Sequence, residues 1–270
     1  MLFNILFFLY NKKEVIYIKV LITGASSGIG RDMAYYFAKL NYDLILVARR
    51  TKLMEEIKKN VSVNVEIIPM DLTIQENCFK LYEMVKKENI DILVNNAGFG
   101  LFGMFYKTDL NRELEMINLN ITATHILTKL FLKDFIKRDY GYILNVCSSA
   151  GFMAGPRLNT YYATKNYSLK LTMAIYEELR QMKSNVHISA LCPGPVDTEF
   201  NKVAKGVFNL KEANSNYIAK YAIKQLFKNK LLIIPQLKIK LGIFFTRFLP
   251  YKLQLLITYH IQKRKNTGKF

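Results

Sequence analysis

Residues 23–30 read Thr23-Gly24-Ala25-Ser26-Ser27-Gly28-Ile29-Gly30, and the fold of this chain turns on them. Upstream, residues 15–23 form a short apolar run of strand character; downstream, residues 30–40 carry helical periodicity. Gly24 permits a sharp turn at the strand end, and Gly28 removes a side chain where backbone would approach a pyrophosphate. Gly30 lets the helix lie close against the strand, and the helix N-terminus offers free N–H groups to phosphates. This spacing differs from the commoner G-x-G-x-x-G. Alone it marks only a turn; between a strand and a helix at the start of an α/β chain it signals a dinucleotide site.

Further along, residues 43–48, 65–69, 90–95, 142–147, 186–192 and 231–234 are short and almost continuously apolar, as strands buried on both faces require. Residues 52–60, 74–88, 113–137 and 162–182 between them read as helices. This alternation predicts an α/β fold: a single doubly wound parallel-sheet Rossmann domain with helices on both faces. The domain is expected over residues 15–235, after an apolar lead-in (1–14) and before a basic amphipathic C-terminal extension (236–270). No repeat, low-complexity tract or linker divides the chain.

Half of the 270 residues are hydrophobic (51%), enough for one large core. Cys78, Cys147 and Cys192 form no C-x-x-C pair, and the odd count speaks against a disulfide framework; buried, reduced thiols are expected. His125, His187 and His260 lack metal-ligand spacing, so no metal is expected. The net charge of +18 is uneven: no acid follows Glu212, while twelve basic residues lie between Lys220 and Lys269.

The second strand runs into Arg49-Arg50. An acid there would bind a free ribose 2′-hydroxyl, whereas two guanidinium groups suit a 2′-phosphate, so NADP(H) is the expected cofactor. The alternative is that the arginines only solvate a strand end. Tyr161 and Lys165 stand four apart, one helical turn, on a common face. A neighbouring ammonium stabilises phenolate and lowers a tyrosine pKa towards neutrality. The pattern also occurs at Tyr35/Lys39, Tyr82/Lys86 and Tyr259/Lys263. Only the Tyr161 pair follows a strand ending in Ser148-Ser149, with Ser148 thirteen residues ahead.

From about Val20 to Thr198 these motifs resemble the short-chain dehydrogenase/reductase family. Gly24, Ser26, Ser27, Gly28, Ile29 and Gly30 match its cofactor loop, and Asp71-Leu72 its acidic pair at the adenine. Asn95-Asn96-Ala97-Gly98 matches the segment that stabilises the sheet and borders the cofactor. Pro193, Gly194, Val196 and Thr198 match the segment holding the nicotinamide end. Residues 120–124 are similar to the family's N-x-x-G-T helix segment, with Ala123 where many members carry Gly; Asn118 lies close by. The resemblance implies a tetrad in which Tyr161 donates a proton to the carbonyl oxygen as hydride arrives. Ser148 would orient that oxygen. Lys165 would lower the Tyr161 pKa and bind ribose, and Asn120 would hold a water that reconnects Lys165 to solvent. The layout is further similar to bacterial, NADP-preferring general oxidoreductases of the family.

After Thr198 the resemblance weakens, where specificity usually resides. Residues 199–215 are expected to form a lid, with Phe200, Val203, Val207 and Phe208 as apolar contacts or as packing on the sheet. Residues 237–249 and 251–265 read as two apolar helices interleaved with Lys238, Lys240, Arg247, Lys252, Lys263 and Arg264. They fit an anionic membrane surface, or a cover for the domain or a partner subunit. The N-terminal MLFNILFFLY is too short to span a bilayer and is a lead-in, an early start or an interfacial anchor. No nucleic-acid module is recognised. The sequence thus predicts a cytoplasmic enzyme, with peripheral membrane contact as an option, acting on a hydrophobic ketone, aldehyde or 3-oxoacyl compound. A homodimer or homotetramer is expected through residues 113–137 and 162–182. The competing readings are an NADPH-binding sensor without turnover and a membrane-surface adaptor.

Overall fold

The apolar runs become strands β1 (Lys19–Thr23), β2 (Asp43–Ala48), β3 (Val65–Pro69), β4 (Ile92–Asn95), β5 (Gly141–Val146), β6 (Val186–Leu191) and β9 (Leu232–Ile233). They form one parallel sheet in the order β3-β2-β1-β4-β5-β6-β9. The computed structural model describes residues 18–200, 204 and 212–263. The expected lead-in, the start of the first expected strand, the lid positions Val203, Val207 and Phe208, and Arg264 lie outside the described residues.

Each long strand divides its side chains between two cores, as period-two alternation dictates. Val20, Ile22, Leu44, Leu46, Ile92, Val94 and Leu144 face one side, and Leu21, Ile45, Val47, Leu93 and Ile143 the other. Helices α1 (Gly28–Lys39), α2 (Thr51–Lys59) and α7 (Ser215–Leu226) cover the first with Met33, Phe37, Ile57 and Ile218. Helices α3 (Gln75–Val85), α5 (Thr124–Arg138) and α6 (Asn159–Gln181) cover the second with Leu81, Phe131, Phe135 and Leu179.

Three features depart from the sequence expectation. The helix expected over residues 113–137 is α4 (Leu110–Ile117) and α5 joined by a wider π-helical turn, Asn118–Ala123. Helix α7 lies outside the helices the sequence predicts; Asn214 caps it by accepting from the Asn216 and Tyr217 amides, and Ala219, Ala222 and Ile223 are buried in the core. A short parallel pair, β7 (Val196–Asp197) with β8 (Ala213–Asn214), brackets the expected lid. The chain ends in α8 (Leu237–Thr246) and α9 (Tyr251–Lys263). The strand order reverses between β1 and β4. A crevice therefore opens beyond their carboxyl ends, where doubly wound sheets bind ligands.

Candidate active site

At that crevice the glycine loop and the β4 loop are locked together. Asn96 donates from Nδ2 to the carbonyls of Thr23 and Gly24 (both 3.0 Å), and its amide donates to Thr23 Oγ1 (3.0 Å). Gly24 has φ +65°, and a Cβ on it would sit 2.8 Å from Ala97 Cα. That combination of left-handed backbone and close approach requires glycine. Gly30 serves packing: its absent Cβ would meet Gly24 O at 2.5 Å, and the residue does not line the cavity.

A cavity of about 690 Å³ fills the crevice. Of the positions matched to cofactor binding, Gly24, Ser26, Ser27, Gly28, Ile29, Arg49, Arg50, Asp71, Leu72, Asn96, Ala97, Gly98, Tyr161, Lys165, Pro193, Gly194, Val196 and Thr198 all line it. The arginines do more than solvate a strand end. Arg50 donates to Ser27 Oγ (2.7 Å) and Ser26 Oγ (3.2 Å) and pairs with Glu199 (2.7 Å). Arg49 lies 3.6 Å from Asp71, whose carboxyl is held below its ordinary range by hydrogen bonds from Thr73 and by Arg49, against the opposing effect of burial.

Three of the expected tetrad also line the cavity: Ser148, at the end of β5, and Tyr161 and Lys165 in the first turns of α6. Lys165 is buried, with Nζ 5.8 Å from the Tyr161 ring centre and donating to Val146 O at 2.8 Å. Burial pushes the Tyr161 phenol well above its ordinary pKa, opposed by a hydrogen bond with Ser148. The lowering by Lys165 that the resemblance implies is not among the effects acting on the phenol here. The ammonium is itself desolvated, which lowers its own pKa, and one of its N–H groups donates to the Val146 carbonyl. Burial of the phenol therefore wins.

Asn120 is buried in the π-helical turn just behind the cavity wall, whereas Asn118 is exposed. Its carboxamide donates to Phe99 O (2.9 Å) and Thr164 Oγ1 (3.0 Å) and accepts from Phe99 N (3.1 Å). A Cβ on Gly98 would stand 2.9 Å from Asn120 Oδ1 and 3.5 Å from Lys165 Nζ, so that glycine leaves the space flanked by both. Below lie the buried, free thiols of Cys147 and Cys192; contact with Cys147 and burial push the Cys192 thiol up. Among the described residues no cluster of metal-ligating side chains occurs.

The far wall comes from the C-terminal helices, for which the sequence left a cover for the domain and a membrane surface as alternatives. Helices α8 and α9 fold back over the site, and Ile239, Ile243, Leu249, Ile257, Thr258 and Ile261 line the cavity with Met153, Leu158 and Phe200. Gln236 anchors this cover, accepting from the Gly194 amide (2.9 Å) and donating to Pro195 O (3.3 Å). Gln262 donates to the Tyr162 hydroxyl (2.5 Å). The Phe200 ring lies 5.1 Å from that of Tyr161, against Gly100, where a Cβ would meet it at 2.6 Å.

Residues 19–206 match the family model described as short chain dehydrogenase. The chain belongs to the short-chain dehydrogenase/reductase family. This is a family of NAD(P)-dependent oxidoreductases acting on CH–OH groups. A mouse relative, dehydrogenase/reductase SDR family member 7, is 34% identical over 68% of this chain; the chain spans only 57% of that relative's length. The NADP-dependent 3-hydroxy acid dehydrogenase of fission yeast is 36% identical over 68% of this chain and 73% of its own. A solved short-chain dehydrogenase from Sphingobium yanoikuyae, in complex with NADPH, superposes with a TM-score of 0.76 at 30% identity. That match covers 82% of this chain and 88% of the other.

Proposed function

We propose that this protein is an NADPH-dependent reductase that converts a hydrophobic ketone, aldehyde or 3-oxoacyl compound to an alcohol. The observation that carries the proposal is the convergence of Ser148, Tyr161 and Lys165 on one cavity whose other end is the glycine loop and whose roof is apolar. NADPH supplies hydride; its 2′-phosphate would meet Arg49 and Arg50, and its pyrophosphate the amides at the start of α1. Tyr161 gives its proton to the carbonyl oxygen, Ser148 orients that oxygen, and Lys165 holds the ribose. Asn120 holds a water in the space beside Gly98 that resupplies Lys165. The solved relative with NADPH and the NADP-dependent yeast relative support the cofactor choice.

A phenol raised by burial stays protonated through the neutral range, so the acid form that reduction needs is fully populated there. Carbonyl reduction should therefore be nearly independent of pH across the neutral and mildly alkaline range. The reverse oxidation, which needs the phenolate, should accelerate as pH rises. Initial rates in both directions across a pH series check this. A reduction rate that falls steadily above neutrality would mean another group supplies the proton.

Removing both guanidinium groups (Arg49→Ala with Arg50→Ala) should lower the preference for NADPH over NADH by roughly 10–100-fold. That follows if each charged hydrogen bond is worth about 1.5–3 kcal/mol, discounted for exposure. The ratio of kcat/KM for the two cofactors reads this directly.

We further propose a general oxidoreductase of the bacterial type, broad among apolar carbonyls, working in the cytoplasm as a homodimer or homotetramer through the α4–α5 and α6 faces. The deciding test follows NADPH oxidation with ketones, aldehydes and 3-oxoacyl thioesters of increasing chain length. kcat/KM should rise with apolar size. A consistent preference for small polar ketones would overturn the substrate class, and sedimentation equilibrium reads the assembly.

A further inference from the structure

Helix α9 is built inside out. Its buried residues are Thr258 and Gln262, with Gln254 half-buried one turn earlier, so a polar stripe at i, i+4, i+8 faces the protein. Leu253, Leu255, Leu256, Ile257 and Ile261 are left exposed. A helix covering a water-facing enzyme presents the opposite arrangement. Helix α8 buries only Ile243, while Phe244, Phe245 and Phe248 form an exposed aromatic cluster, the Phe244 ring centre 5.5 Å from each of the other two; Phe248 is 71% exposed. Exposed apolar surface this concentrated marks an interaction site.

Charge identifies the partner. Lys238, Lys240, Arg247, Lys252 and Lys263 are interspersed among these side chains and exposed, and no acid occurs anywhere after Glu212. A second copy docking on this face about a two-fold axis would bring cations against cations. Nucleic acid would satisfy the cations but not the leucines and phenylalanines. An anionic lipid surface satisfies both: headgroups meet the lysines and acyl chains receive the apolar side chains. No helix among the described residues is long and apolar enough to cross a membrane, so contact would be interfacial.

We propose that α8 and α9 dock the enzyme on an anionic membrane surface and that its hydrophobic substrate reaches the cavity from that surface. The second part rests on the reductase reading above. Its geometric basis is that Ile257 and Ile261 line the cavity while remaining 41% and 44% exposed. The cavity and the exposed α9 face thus share apolar side chains, beside the polar Gln254 and Thr258.

The test uses the full chain and two vesicle preparations, phosphatidylcholine alone and phosphatidylcholine with about one quarter phosphatidylglycerol. Flotation should recover the protein with the anionic vesicles at least about tenfold more tightly than with the zwitterionic ones, and salt should weaken the binding. Phe244→Ser, Phe245→Ser and Phe248→Ser together, none of which lines the cavity, should abolish flotation. NADPH affinity and turnover of a water-soluble ketone should stay intact, which also shows that the variant folds. Turnover of a ketone dissolved in anionic vesicles should fall in the same variant. Absence of flotation in the wild-type chain would overturn the docking surface. So would equal flotation on both lipids, or a triple variant that turns a dimer into a monomer without changing flotation. Loss of flotation with vesicle-borne turnover unchanged would overturn the entry route alone. Because flotation needs no catalysis, failure of the docking surface and failure of the reductase reading are separable.

Discussion

Tyr161→Phe is expected to lower NADPH-dependent carbonyl turnover by about 10²–10⁴-fold, the range typical for loss of a positioned proton donor. The substitution is isosteric. It keeps the ring beside Phe200 and Tyr162 and leaves the glycine loop untouched, so NADPH affinity should stay within a few-fold of wild type. The loss should fall on kcat, because the phenolic hydrogen acts where negative charge develops on the carbonyl oxygen. Tyr162→Phe is the matched control: its hydroxyl accepts from the buried Gln262 rather than from Ser148. That variant should lose stability, since Gln262 is left with an unpaired buried amide, while keeping far more turnover than Tyr161→Phe. Steady-state kinetics on both variants, with NADPH binding measured separately, decide between the adjacent tyrosines. Unaffected turnover in Tyr161→Phe would remove it from the mechanism.

The parts of the site that were legible in the sequence are those whose residues lie close in the chain or at ends of strands buried on both faces. The glycine loop could be read because strand, turn and helix follow one another within a few residues. Ser148, Tyr161 and Lys165 could be read because one strand end and one helix carry all three. The π-helical turn could not. Its wider winding coincides with Asn120 bonding to Phe99 and Thr164, contacts 21 and 44 residues away in sequence. The raised Tyr161 phenol was hidden for a related reason: spacing shows Lys165 nearby but not that both groups lose water together. Helix α7 had a readable pattern in Ile218, Ala222, Ile223 and Leu226, but it follows the point where the motifs thin out. The roof was half legible: its helices read as a membrane face or a cover for the domain, but apolar periodicity in residues 251–263 does not show that Thr258 and Gln262 turn inward.

Gly30→Ala sets local propensity against tertiary packing. At a solvent-facing helical position, replacing glycine by alanine stabilises by about 1 kcal/mol. Gly30 is buried at the third position of α1, with backbone that any residue adopts, so propensity alone predicts a gain. The added methyl, however, would stand 2.5 Å from Gly24 O and 2.4 Å from Asn96 Nδ2. The first is a backbone atom held in the β1 turn, and the second belongs to the amide that bonds both Thr23 O and Gly24 O. Relieving the clash means moving the helix away from the strand end or displacing Asn96. Overpacking costs about 1–3 kcal/mol, and each buried hydrogen bond left unmade about 1–3 kcal/mol. The packing terms exceed the propensity gain, for a net loss of about 1–5 kcal/mol. In a chain of this size that lowers Tm by very roughly 5–15 °C. The same displacement moves the amides at the start of α1 away from the pyrophosphate position, so NADPH binding should weaken by roughly tenfold, equivalent to about 1.4 kcal/mol. Thermal melts with and without NADPH measure both effects. A melting point above wild type would mean that helix and strand end do not approach as closely as the anchoring of Asn96 requires, and the phosphate cradle would have to be rebuilt on a different contact.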